Sequence, residues 1–363
     1  MNLFSIIDRN EFNEMVANRY IDIAKHPVYD LWILDYSKSC SLDSMWNETT
    51  MMCRGMIIDA NYDIVSWPFR KFFNVEELET LVPKFPGLGL EIPNLPFKAY
   101  EKLDGSLGIG YWADDNLHIA TKGSFVSDQA IKANDIFQKK YKQYTSKLDK
   151  SCTYLFEIIY PENRIVVDYG KMEDIILIGV KDTETGEDIP LEKYASLFNI
   201  VKEYDCADWK TMREQFSGDN REGFVVRFDN GYRLKMKYED YFKKHFLRSY
   251  LTEKHVFQFY YERRLAELED MSSTMDEENK ITVRKMVEKF DYHYNRIKDE
   301  AIAEFEKMGY PIGMLMTKDT AERIKNECKY ATLVFRLVRG YDIDTDVMNQ
   351  LKREIKFLED EQN

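Results

Sequence analysis

The sequence predicts an α+β protein: a domain of antiparallel sheets with helices, followed by an all-helical C-terminal domain. Three observations carry this prediction. Short apolar or alternating runs recur up to about residue 240. Turn signals separate them. Beyond residue 240 the strand-like alternation stops and helical periodicity replaces it.

The strand candidates are LWILDY (31–36), GMIIDA (55–60), LGIGYW (107–112), TYLFEIIY (153–160), DIILIGV (174–180), GFVVRF (223–228) and YRLKMK (232–237). Turns are expected at Asp114-Asp115-Asn116, at Thr185-Gly186 and at Asp229-Asn230-Gly231. The last joins two strand candidates as a hairpin, because Asn-Gly accepts the positive φ angles of tight primed turns. The clearest helix in this half covers 127–148. In the second half, helices are expected over 252–269, 279–308, 320–338 and 345–360, with Gly309 and Gly340 where helix ends should fall. The boundary is placed so that one domain spans 1–245 and the helical one 246–363.

A chain of 363 residues exceeds the usual size of one domain, so two domains are expected. Its net charge of −13 argues against a protein coated with nucleic acid. A local basic groove stays compatible with that charge, since fields are screened beyond about 8–10 Å. Cys40, Cys53, Cys152, Cys206 and Cys328 are odd in number and widely spaced, with no C-x-x-C. Reduced thiols in a cytosolic protein, without a zinc site, are expected. The start MNLFSIIDRNEF is acidic early and reads as no signal peptide. The most apolar run, IILIGV (175–180), is too short to span a bilayer. No membrane partner is expected, and the chain is expected to act as a monomer.

The chemistry-bearing residues begin in EKLDGSLGIG (101–110), where Lys102 stands two residues before Asp104-Gly105. Alone, this reads as a solvated lysine near a turn. Glu157 then sits inside a strongly apolar strand, where a carboxylate is costly to bury without a partner. Glu222 precedes Gly223 at the mouth of another apolar strand. Lys235 and Lys237 are two apart on a strand and so share a face, with Leu234 and Met236 on the other.

Lys102, Glu157, Glu222 and the lysine pair, in this order, resemble the motif series of covalent nucleotidyltransferases: DNA ligases, RNA ligases and mRNA capping enzymes. The flanks sharpen the likeness. CRGMIID (53–59), RKFFN (70–74), EKLDGSL (101–107), TKGSFVSDQA (121–130), FEIIYPENRIVVDY (156–169), GVKDTETGE (179–187), EGFVV (222–226) and LKMKYEDYF (234–242) resemble the phage-type RNA ligase 1 family, the T-even phage ATP-dependent RNA ligase. The likeness covers nearly all of 30–245 and thins in the helical tail to short matches such as RGYD (339–342).

The resemblance implies an ATP-grasp-like ligase domain and a three-step ligation. A lysine takes AMP from ATP, the AMP moves to an RNA 5′-phosphate, and a 3′-hydroxyl displaces it. Lys102 is then the nucleophile, with nearby cations (Mg2+, Lys235, Lys237) expected to lower its pKa. Glu157 is expected to hold the ribose and Glu222 to bind water on Mg2+, with Mn2+ an alternative metal. Lys235 and Lys237 are expected on the α-phosphate, and Arg54 and Lys71 on the ATP phosphates. Tyr36 is expected near the nucleotide, Lys122 in the site lining, and Phe72 or Phe73 stacked on adenine. Glu101, Asp104 and Gly105 are expected beside the nucleotide, Asp104 orienting its loop and Gly105 allowing close approach. Asp270 and Asp342 are expected to match positions for a second metal. The implied partners are ATP and single-stranded RNA or tRNA ends, in RNA repair, within the host cytoplasm for a phage-encoded enzyme. Tyr241, Lys243, Lys244, His245 and Arg248 form a basic stretch expected either to meet the RNA end or to be a plain junction helix. A DNA ligase or capping-type enzyme, and a silent RNA-binding homologue, stay as alternatives. Helices after the lysine pair, in place of a β-barrel domain, favour the RNA ligase.

Overall fold

A computed structural model describes residues 1–239, 241, 252–272 and 277–355. The chain divides into two compact units, Met1–Phe242 and Lys243–Asn363. Among the described residues the first unit holds three antiparallel sheets and the second only helices. The α+β class expected from the sequence is the observed one.

The first sheet runs in the order β1 (Ile21–Lys25), β2 (Leu31–Tyr36), β3 (Arg54–Asp59), β4 (Ile64–Ser66). Three further strands that follow in the chain are β5 (Phe97–Lys102), β6 (Ser106–Ala113) and β7 (Asn116–Thr121). Then come β8 (Cys152–Ile159), β9 (Asp174–Asp182), β10 (Asp188–Ile189), β11 (Glu203–Tyr204), β12 (Gly223–Phe228) and β13 (Arg233–Lys237). The second sheet has the order β10-β9-β8-β6-β7 and the third β11-β5-β12-β13. Ile33 and Ile57 of the first sheet pack on Ile109, Tyr111 and Leu155 of the second. The helix Asp128–Lys140, started by the Ser127 side chain accepting from Ala130 N–H, covers the second sheet's other face through Ala133, Ile136 and Phe137.

The strands of the β12–β13 hairpin follow the sequence pattern, but the turn is not the primed two-residue type: Gly231 alone in it takes a positive φ, +81°, and its N–H donates to the Phe228 carbonyl at 2.8 Å. Val226, Phe228, Leu234 and Met236 are buried against Trp46, Phe73 and Leu78. Each such side chain contributes about 1.5–3 kcal/mol on burial. The opposite face carries Val225, Arg227, Arg233, Lys235 and Lys237, in register with Tyr100 and Lys98 of β5. That face is held over the second sheet and forms one wall of a cavity.

Three stretches depart from the sequence expectation. EKLDGSL is more than a turn beside a lysine: β5 belongs to the third sheet and β6 to the second, so residues 103–105 carry the chain between sheets. β5 itself, FKAYEK, escapes detection because Ala99 alone of its side chains is fully buried. In the helical unit the stretch 320–338 is two helices, Lys318–Glu327 and Ala331–Val338. The break is stabilised by Glu304, whose carboxylate accepts from the backbone N–H groups of Lys329 and Tyr330 at 2.8 and 3.0 Å. The stretch 252–269 likewise divides into Glu253–Tyr261 and Leu265–Ser272, with Arg263 at φ +60° between them. Gly309 and Gly340 do end helices, at φ +67° and +79°. Among the described residues no helix is long and apolar enough to cross a membrane.

Gly55 lets the first sheet approach the second. It has φ +85°, and a Cβ there would lie 2.3 Å from Ile109 Cδ1 and 3.1 Å from the Lys122 backbone. Gly55→Ala is expected to destabilise the protein by about 1–3 kcal/mol, combining overpacking with backbone strain. Urea or thermal unfolding checks this, and an unchanged midpoint would contradict it.

Candidate active site

Lys102 ends β5, Gly223 begins β12 and Lys237 ends β13, and the three are neighbours across the third sheet. This register sets Glu222, one residue before Gly223, between two ammonium groups. Lys102 Nζ lies 2.7 Å from Glu222 Oε2, and Lys237 Nζ lies 2.8 Å from Glu222 Oε1. The Glu222 side chain is only 3% exposed. Burial alone would raise its pKa, but the two lysines outweigh that and hold it below the usual carboxylate value. The same pairing acts on Lys102. Burial pulls its pKa down, yet the Glu222 and Glu157 carboxylates outweigh burial and keep it above the ordinary lysine value. The expected lowering by cations is therefore corrected for this arrangement.

The lysine whose pKa is driven well down is Lys235. Burial is the first cause, and the cations of Lys71, Lys102, Arg54 and Lys237 add to it. Lys235 has no ion-pair partner among the described residues, and its Nζ stands 5.5 Å from the Phe72 ring centre. Arg54 approaches the same ring at 5.4 Å. Lys71 is pushed down chiefly by burial and packs among the rings of Phe73, Trp46 and Tyr36 at 4.8, 5.0 and 5.5 Å. Lys122 lies 4.0 Å over Tyr36. Tyr36 is lowered from its normal value: burial would raise it, but Lys71, Arg54 and Lys122 prevail. Of these cations, Arg54, Lys102 and Lys235 line a cavity of about 230 Å3. Its walls mix apolar side chains, Leu107, Ile178, Val201 and Val225 among them, with the charged groups of Glu101, Glu157, Asp188, Arg227 and Arg233.

Glu157 enters from the second sheet. Burial pushes its pKa to about 7, against the pull of Lys102. Its Oε1 accepts from Gly105 N–H at 3.0 Å, which ties it to the crossing after Lys102. Gly105 serves the fold there, since a Cβ would sit 2.5 Å from the Ile158 carbonyl oxygen. Asp104 is buried and anchors the crossing with three bonds. One oxygen accepts from Val166 and Val167 N–H at 2.7 and 2.8 Å, and the other from the Tyr241 hydroxyl at 2.6 Å. Glu101 lines the cavity, with its carboxylate 3.7 Å from Arg221.

Several expected residues lie elsewhere. Phe73 is 2% exposed and packs edge-on against Trp46, which leaves Phe72 as the ring lining the cavity. Tyr241 is buried with its hydroxyl on Asp104; Lys243, Lys244, His245 and Arg248 lie outside the described residues. Asp342 is in the helical unit, where its carboxylate accepts from Asp344 N–H at 3.0 Å. The Asp270 side chain lies outside the described residues. Among the described residues no group of three or more His, Cys, Asp or Glu side chains converges to hold a metal.

One residue escaped the sequence reading. Asp35, at a register shift between β2 and β3, pairs with Lys122 at 3.1 Å. Burial raises its pKa to about 6 despite Lys122, and its other oxygen has no hydrogen-bond partner among the described residues. Within LWILDY it reads as an ordinary polar strand end, so only the fold reveals that it restrains Lys122.

The family model described as RNA ligase, of the T4 ligase 1 type, matches residues 52–251, more than half of the chain. An RNA ligase of Rhodothermus phage RM378 is 28% identical over 71% of this chain and 73% of its own length. A protein of Autographa californica nuclear polyhedrosis virus, provisionally named a bifunctional polynucleotide kinase/RNA ligase, is 28% identical over 62% of this chain and 35% of its own. Among solved structures, a provisionally named ATP-dependent DNA ligase from Aquifex aeolicus covers 80% of both chains at 16% identity, with a TM-score of 0.46. At that likeness the sequence family alone carries the assignment. The matched segment contains Lys102, Glu157, Glu222, Lys235 and Lys237, and by it the chain belongs to the phage-type RNA ligase 1 family, RNA-joining enzymes of the covalent nucleotidyltransferase class.

Proposed function

We propose that this RNA ligase works through a Lys102–AMP intermediate, with ATP as co-substrate and single-stranded RNA or tRNA ends as substrates in RNA repair. The observation that carries the reading is Lys102 at the cavity edge, sharing the buried Glu222 with Lys237. Adenine would lie in this cavity, in reach of Phe72, with the ribose hydroxyls donating to Glu157. The triphosphate would meet Lys235, Lys237, Arg54, Lys71 and Lys122. Each transfer is an in-line displacement at phosphorus, so alignment and charge neutralisation supply most of the catalysis.

The donor set fits a hard divalent cation such as Mg2+ or Mn2+. Such an ion keeps most of its waters and uses one or two carboxylates; Glu157, which lines the cavity, and Glu222 would provide that number, Glu222 by giving up one of its two lysine contacts. When bound there it would supply charge neutralisation at the α-phosphate. The chain's own part is to deliver a neutral amine. Lys102 must shed the proton that Glu222 holds on it, attack the α-phosphorus through Nζ, and release pyrophosphate. RNA 5′-phosphate then takes the AMP, and an RNA 3′-hydroxyl displaces it.

Incubation with Mg2+ and α-labelled ATP is expected to leave an acid-labile label on the protein. Lys102→Ala is expected to carry none, and label on that variant would remove Lys102 as nucleophile. Label from GTP alone would move the reading to a capping-type enzyme. Glu222→Gln unpairs two buried ammonium groups and removes the metal-side carboxylate. Its maximal labelling rate is expected to fall about 100-fold or more, the scale of losing one preorganised electrostatic partner. Activity within about threefold of the parent would contradict that role. The pH profile gives an independent check. Lys102 attacks as the neutral amine and its pKa is raised, so the labelling rate should climb through the neutral and alkaline range. Glu222→Gln removes the main group holding that proton, so its profile should shift to lower pH. A flat parent profile would contradict the raised pKa.

A further inference from the structure

A second chamber, of about 730 Å3, adjoins the nucleotide cavity. Its walls are the segment 67–73, the turn of the β12–β13 hairpin and the turn between β9 and β10. Phe69, Phe72, Asp188, Arg227 and Arg233 line both spaces, so the two rings and these charges form the partition between them. The three-step reading seats ATP in the smaller space and leaves this one without an occupant.

Three features describe what it would take. Its charge is positive: Arg70, Lys71, Lys181, Arg227 and Arg233 face three carboxylates, Glu187, Asp188 and Asp229, on a chain of net charge −13. Not all of that charge is spent internally. Arg233 and Lys181 share Asp188, at 2.6 and 3.7 Å, whereas Arg227 makes no ion pair or side-chain hydrogen bond among the described residues. The third feature is a set of fixed aromatic surfaces. Tyr232 is pinned by its hydroxyl, which donates to the Leu90 carbonyl at 2.8 Å, and Arg233 stacks 4.0 Å over Phe69. Rings interleaved with cations in a positive cleft suit a nucleobase and its phosphate, since every base offers a π-face and the backbone offers the charge.

We propose that the chamber receives the 5′-terminal nucleotide of the RNA, its base against Tyr232 and Phe72 and its 5′-phosphate directed at Lys71 and Lys235. The inference rests on the Lys102–AMP reading. The 5′ end is chosen over the 3′ end because Lys71 lines the chamber while Lys235 shares the Phe72 ring from the nucleotide side. A terminal phosphate matches that edge, and a 3′-hydroxyl brings no charge to it. In the step this serves, a 5′-phosphate oxygen bonds to the AMP phosphorus. The phosphorus–nitrogen bond to Lys102 breaks, and the departing amine takes up a proton.

The test separates the RNA step from the ATP step. Parent, Tyr232→Phe, Tyr232→Leu and Arg70→Gln proteins are labelled on lysine with α-labelled ATP, then given 5′-phosphorylated single-stranded RNA at increasing concentration. All four are expected to label alike. Tyr232→Leu and Arg70→Gln should need about tenfold more RNA for half-maximal transfer, and Tyr232→Phe should stay within about twofold of the parent. Unchanged RNA dependence in both variants overturns the proposal. So does a rise in the ATP requirement instead, which would give the chamber to the triphosphate. A parent that takes no label overturns the adenylylation reading, and this inference with it. A measurement without mutation stands beside these: RNA with 4-thiouridine at its 5′ end, photo-crosslinked to the parent protein. Crosslinks in 67–73 or 227–233 support the chamber, and crosslinks confined elsewhere refute it.

Discussion

The site depends on one buried carboxylate shared by two ammonium groups. Moving a lone lysine out of water is expensive, and moving two side by side is more so. Glu222 makes the position of both tolerable, because it is almost fully enclosed and each oxygen faces a different lysine. The third sheet enforces this sharing. Gly223 is directly opposite both Lys102 and Lys237, so β12 could not shift by one residue without separating the trio and reversing every side chain of the hairpin.

Among the described residues, Lys235 has no carboxylate that does for it what Glu222 does for two lysines. Burial lowers the pKa of both Lys102 and Lys235; for Lys102 the Glu222 and Glu157 carboxylates outweigh it, while for Lys235 neighbouring cations add to it. Lys71 and Lys235 are therefore held at electrostatic cost in the protein alone, and in the proposed reading a bound polyanion would relieve that cost. This also reconciles an acidic chain with a nucleic-acid substrate. The net charge of −13 is spread over the whole sequence, while the field that guides a phosphate acts over about 8–10 Å.

The sequence revealed the parts whose signal is local. GFVVRF and YRLKMK alternate cleanly and pair as the hairpin that pattern predicts, although the turn between them is not of the primed type. Glu157 stood out because its neighbours are apolar. What stayed hidden needed a partner distant in the chain. β5 is stabilised by pairing with β11 and β12, and its own side chains announce little. Lys102–Glu222 joins residues 120 apart, Asp35–Lys122 residues 87 apart, and neither is written in local periodicity. The break before Tyr330 was equally invisible, since the carboxylate that stabilises it belongs to another helix.

The hydroxyl of Tyr241 on Asp104 has a practical meaning for anyone dividing this chain. Tyr241 is nearly the last residue of the first unit, and it fastens the crossing that follows the nucleophile near the unit's middle. A fragment trimmed at the end of β13 would retain every charged side chain of the site and still lose one of the three bonds on Asp104. A piece that keeps all three bonds on the Asp104 carboxylate must include Tyr241. A tyrosine outside the strands thus belongs to the mounting of the site.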